Sequence, residues 1–140
     1  MTGIAVVGAA ETTNLGKIPH MSQQMLHADA ALNAMADAGI TAKDIDGVAT
    51  AGQSPTELAY YLGITPEWVD GTQVGGCSFM LHVRHAVAAL QESALTCATT
   101  ESGQAPPVGQ EQSAVSSVIH DVLDSDCAAE CATSSNPEQL

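Results

Sequence analysis

Cys77 and Ser78 follow the pair Gly75-Gly76 and open a stretch in which Phe79, Val83, Ala86, Val87 and Leu90 recur at helical spacing. A thiol and a hydroxyl are thereby set at the start of a helix. The glycines let the backbone turn tightly and come close to a ligand. The free N–H groups and macrodipole at that end favour a thiolate and can receive an oxyanion, so the chemistry on offer is nucleophilic attack on a carbonyl. A plain helix start, with Cys77 as a small buried residue and Ser78 as a cap, accounts for the same residues. His82 and His85 lie three apart on this helix and could share a metal. No third ligand stands at a matching spacing, and satisfied buried or interface histidines are the simpler reading. Both are expected to point away from the helix start. Arg84, the one cation nearby, is expected to pair with a carboxylate.

The elements that must position these residues are legible in outline. Ile4 to Val7 is a short unbroken apolar run ended by Gly8, which suits a strand buried on both faces. Ser22 caps a long helix with the apolar stripe Met25, Ala28, Leu32, Met35 and Ala36, and Gly39-Ile40 is its stop signal. His20 and His27 flank its start without an evident partner. Asp46 to Thr50 carries the next strand. Ser54-Pro55-Thr56-Glu57 is a capping box with proline at the first helical position, opening a short helix to about Leu62 that Gly63 closes. A turn then leads to the Cys77 helix. The dinucleotide fingerprint is not satisfied around Gly8 and Gly16.

Four segments in this order, Gly3-Ile-Ala-Val-Val-Gly-Ala-Ala-Glu-Thr-Thr13, Ser22 to Gly39 ending in Ala-Asp-Ala-Gly-Ile40, Lys43-Asp-Ile-Asp-Gly-Val48 and Val74-Gly-Gly-Cys-Ser-Phe79, resemble the start of a thiolase. The likeness is strongest to the thiolase-like proteins labelled non-specific lipid-transfer or sterol-carrier thiolases, and it spans about residues 3–91. The resemblance implies an α/β fold, the N-terminal part of a thiolase-like fold in the order β-α-β-α-turn-α. It also implies acyl transfer on acyl-CoA through a covalent thioester, of the acetyl-CoA acetyltransferase kind, in lipid metabolism or lipid transfer. Coenzyme A thioester would be a substrate, with no bound cofactor and no metal. Counted from the valine of the motif, the family's nucleophile falls on Ser78, with Cys77 one residue earlier; either the turn is one residue shorter and Cys77 is the nucleophile, or the position has become serine. The later family motifs of the G-H-P and C-x-G kinds have no counterpart. The alternatives are a catalytically silent lipid-carrier or interaction subunit and a non-functional truncated product, with the tail read in another frame.

Composition changes after Leu90. Lys17, Lys43 and Arg84 are the only basic residues, and with Tyr60, Tyr61, Trp68 and Phe79 they all precede position 85. Residues 92–140 form an acidic tail rich in Ser, Thr and Ala, expected to be of low order except for one short helix over 114–123. The length of 140 residues is well under half of a thiolase subunit, and about the first third of one is expected. A net charge of −13 argues against nucleic acid and anionic membrane as partners, since both need clustered Lys or Arg. The N-terminal apolar run is too short for a signal or a span, so a cytoplasmic protein is expected, as a homodimer or hetero-oligomer through the thiolase-like surface. Four scattered cysteines read as reduced thiols, and Cys127 and Cys131 have no second ligand pair to complete a zinc site.

Overall fold

The computed structural model describes residues 3–92, 94–104 and 113–121. Among these residues, three α-helices and a five-stranded mixed sheet follow one another as β1 (Ile4–Glu11), α1 (Gln23–Ala38), β2 (Gly47–Ala51), α2 (Pro55–Leu62), β3 (Trp68–Asp70), α3 (Ser78–Gln91), β4 (Cys97–Gln104) and β5 (Ser113–Asp121), with one 3-10 turn over Ala42–Asp44. The strands lie in the order β1-β5-β4-β2-β3. β2 runs parallel to β3 and to β4, while β5 is antiparallel to both of its neighbours.

Local signals act where the sequence puts them. Ser22 accepts a hydrogen bond from the Met25 amide and Gly39 takes the left-handed conformation that ends α1; Ser54, Pro55 and Gly63 do the same for α2. The faces differ from expectation. Met25, Leu32 and Ala36 are exposed, and α1 packs instead through Leu26, His27, Ala28, Ala30, Ala31, Ala34, Met35 and Ala38. Small residues win because α1 lies directly on β1: a Cβ at Gly8 would collide with the Ala34 carbonyl and come within 2.8 Å of the Ala38 methyl. β1 is an edge strand rather than one buried on both faces, with Val6 and Val7 exposed. Asp29, Asn33 and Asp37 of α1 bond backbone and side-chain groups of Ala9, Glu11 and Thr13, which ties down β1 and the residues just after it.

Helices cover both faces of the sheet. α1 and α2 close one core, with Ala31, Met35, Leu58, Val48, Cys97 and Val118. α3 closes the other, where Ala86 and Leu90 meet Leu95, Ala98 and Ile119. Because strand side chains alternate between faces, β4 and β5 need buried residues on both sides.

β4 and β5 overturn two expectations. The stretch read as low-order contains strands over 97–104 and 113–121, and the helix expected at 114–123 is the strand β5. The remainder of that expectation, 105–112 and 122–140, lies outside the described residues. Polarity misled because these strands bury hydroxyls: Thr99, Thr100, Ser116 and Ser117 are all buried, with Thr100 bonded to Ser117 at 3.0 Å and Thr99 to Ser116 at 3.2 Å. Asp46 anchors the pair to the rest of the sheet. Its carboxylate accepts from the amides of Thr96 and Cys97 and from the Thr96 hydroxyl at 2.7–2.9 Å, just ahead of β2 and β4.

Candidate active site

α3 links β3 to β4, which flank β2 in the sheet and both run parallel to it, so α3 runs antiparallel to these strands and its N-terminus lies at their carboxyl ends. Ligands bind at that edge in open α/β sheets. Cys77 caps α3 there with φ −93° and ψ 1°; its side chain makes no capping bond and is exposed, with Sγ 3.7 Å from the Val74 carbonyl. Gly75, at φ +84°, gives the reversal that carries the chain into the helix.

Ser78 has the opposite environment. It is buried, its hydroxyl donates to the Gly75 carbonyl at 2.7 Å, and the same oxygen accepts from the Val74 amide at 3.0 Å. Cys77 faces outward and Ser78 ties the turn together.

His82 and His85 do not reach for a metal. The Thr72 carbonyl can only accept, so buried His82 donates from Nε2 at 2.8 Å; its Nδ1 is buried with no hydrogen-bond partner among the described residues. His85 Nδ1 is 2.6 Å from the Asp70 carboxylate. Asp70 also accepts from the Thr72 amide at 2.9 Å and hydroxyl at 2.6 Å. Burial pushes the Asp70 carboxyl up, but the bonds from Thr72 and His85 together outweigh it and hold the group below the ordinary carboxylate range. Both histidines therefore reach back to the segment leading into Cys77, contrary to the expectation that they point away from it. Arg84 makes no ion pair among the described residues, and no group of three or more potential metal ligands occurs among them.

A surface cavity of about 530 Å³ lies along β3 and the C-terminal half of α3, lined by Trp68, Asp70, His85, Ala88 and Glu92 among others. Cys77 is not among its lining residues, so it is not the pocket of the chemistry considered above. On the other face of the sheet, His27 is buried with Nδ1 3.7 Å from Glu101, whose other carboxylate oxygen accepts from Thr99 and Ser116. Burial drives the Glu101 carboxyl well above the ordinary range against the opposing pull of those two hydroxyls. Sequence reading missed Asp70, Thr72, Glu101 and Asp46. An Asp-Gly-Thr turn ahead of an apolar helix with polar residues at 78, 82 and 85 was the available signal for the first two.

No protein-family model matches the chain, and no curated protein matches it. Solved structures do. OleA from Xanthomonas campestris matches with a TM-score of 0.71 at 11% identity, over 86% of this chain and 56% of its own. The 3-oxoacyl-[acyl-carrier-protein] synthase III of Aquifex aeolicus matches with a TM-score of 0.72 at 10% identity, over 87% of this chain and 55% of its own. The Ltp2-ChsH2(DUF35) aldolase matches with a TM-score of 0.68 at 24% identity, over 76% of this chain and 28% of its own. The chain spans little more than half the length of the first two. On the order of its elements and the course of its backbone, the chain shares the fold of the corresponding parts of these structures, which is the thiolase-like α/β fold expected from the sequence.

Proposed function

We propose that this chain is the nucleophile-bearing part of a thiolase-type acyl-CoA acyltransferase and that Cys77 is the residue acylated. The observation that carries the reading is the division of labour at the head of α3, where Cys77 is exposed at the helix cap while buried Ser78 spends its hydroxyl on the turn. The Cys77 sulfur attacks the thioester carbonyl carbon. The bond from that carbon to the coenzyme A sulfur then breaks, leaving an S-acyl cysteine and a coenzyme A thiolate that takes up a proton. Negative charge builds on the carbonyl oxygen as the sulfur adds, and the free N–H groups of the first turn of α3 are the donors on hand to stabilise it.

One OleA structure is described with bound lauric acid and lauroyl-CoA. That supports an acyl-CoA as the class of substrate here. His82 and His85 are committed to Thr72 and Asp70, so a base and a proton donor for carbon-carbon bond chemistry must come from residues other than these. A second subunit, of the same or another chain, is the proposed source. Neither Cys77 nor Cys97 forms a disulfide among the described residues, which suits a reducing, cytoplasmic setting.

Incubation with acetoacetyl-CoA and coenzyme A, following thioester loss beside a Cys77→Ala control, tests the reading. The expected result is acyl uptake that depends on Cys77 and stops without turnover in the isolated chain. Equal thioester loss in the control would overturn it.

A further inference from the structure

Ser78, His82 and His85 stand at positions i, i+4 and i+7 of α3 and so share one face of the helix. Each of the three is spent on the segment that immediately precedes the helix. Ser78 holds the Val74 amide and the Gly75 carbonyl, and His82 holds the Thr72 carbonyl. His85 holds Asp70, which in turn takes the amide and the hydroxyl of Thr72. In a helix that is otherwise apolar but for Arg84 and Gln91, a polar stripe of this kind would ordinarily face solvent, yet Ser78 and His82 are fully buried. Burying such groups costs stability unless their bonds are made, and here, His82 Nδ1 apart, they are made to the backbone of residues 72–75, up to and including a left-handed glycine, Gly75.

From this arrangement we infer that Ser78, His82 and His85, with Asp70 and Thr72, are positioning residues that fix the 71–76 segment and thereby the placement of Cys77 at the helix cap. The inference rests on the proposed role of Cys77. None of these groups touches substrate in this account. They act by denying the turn its alternative conformations, since a reacting sulfur misplaced by about 1 Å can lose on the order of a hundredfold in rate. The grip is distributed, with one bonded contact near each of residues 70, 72 and 74–75, so no single bond leaves the turn free to slide along the helix.

The test compares His82→Leu with His82→Gln, and His85→Phe with His85→Asn. Glutamine carries an N–H near where His82 presents Nε2, and asparagine carries one near where His85 presents Nδ1. Amide hydrogen exchange reads the turn directly at Thr72, Val74 and Ser78, and the rate of acyl uptake at Cys77 reads the consequence. Each apolar variant is expected to speed exchange at these amides by about five- to tenfold, the size of one hydrogen bond's net contribution, with the sheet amides unchanged. Acyl uptake should slow by at least as much, and the amide-bearing variants should recover most of both. Unchanged exchange in a folded His82→Leu protein would overturn the inference, as would faster exchange with an unaltered rate at Cys77. Should the parent protein take up no acyl group, the proposed function fails. Alkylation of Cys77 by iodoacetamide then replaces acyl uptake as the second readout, and the positioning role stands or falls on it together with exchange.

Discussion

Replacing Glu101 by Gln should make the protein more stable at neutral and alkaline pH and leave it little changed in acid. Glu101 is completely buried between α1 and the β4–β5 pair, with hydroxyls of Thr99 and Ser116 on one carboxylate oxygen at 3.2 and 3.4 Å. Among the described residues the other oxygen faces His27 Nδ1, at 3.7 Å, beyond good hydrogen-bond range. Among the described residues His27 is the titratable group facing it. Burial dominates, and the folded state holds the carboxyl protonated to a pH well above the usual value. The sign follows from linkage. A folded-state pKa raised above the unfolded one gives a contribution that is full below about pH 4.3, where both states are protonated, and is lost as pH rises through the folded value. Between the two values the loss approaches about 1.4 kcal/mol per pH unit. Gln keeps the shape and the acceptor oxygen and removes the proton equilibrium, so this slope vanishes in the variant. Urea unfolding of both proteins from pH 4.5 to 8.5 measures it, as a difference in unfolding free energy that widens with pH in favour of Gln. A difference independent of pH would refute the burial argument, and one that widens in favour of Glu would refute it and assign His27 and Glu101 to a stabilising ion pair.

Three further outcomes follow from the packing. Iodoacetamide should modify exposed Cys77 much faster than buried Cys97 in the folded protein, and equal rates by peptide mass spectrometry would contradict the placement of α3. Gly8→Ala should destabilise by about 1–3 kcal/mol, as overpacking does, because the new methyl meets the backbone of Ala34 and Ala38; a neutral effect on the urea midpoint would show that α1 does not lie on β1 as described. Asp46→Ala removes an acceptor of three hydrogen bonds at the entry to β4 and should cost about 2–4 kcal/mol, whereas unchanged stability would deny that the β4–β5 pair is held through it.

The helices and their ends were legible because capping is local chemistry: Ser22, Ser54, Pro55, Gly39 and Gly63 act within a few residues of themselves. The position of Cys77 was legible for the same reason, since Gly75 and the apolar spacing after it define a helix start. Which side of α1 is buried was not legible, because a stripe of alanines outcompetes Met25 and Leu32 only when a glycine strand lies against it, and that is a tertiary fact. β4 and β5 were lost to composition. Their threonines and serines look like a linker until each hydroxyl is given a partner on the neighbouring strand. The three-residue strand β3 lies inside a stretch read as a turn, and its Asp70 acquires meaning only once His85 is brought to 2.6 Å by the fold.

The most direct test of the central claim is a peptide map of the protein after exposure to lauroyl-CoA, run alongside Cys77→Ser and Ser78→Ala. A hydroxylamine-sensitive lauroyl group is expected on Cys77. It should be absent from that position as a thioester in Cys77→Ser and still present, though formed more slowly, in Ser78→Ala. Acylation carried by Ser78, by Cys97, or by no residue of the 71–78 segment would contradict it.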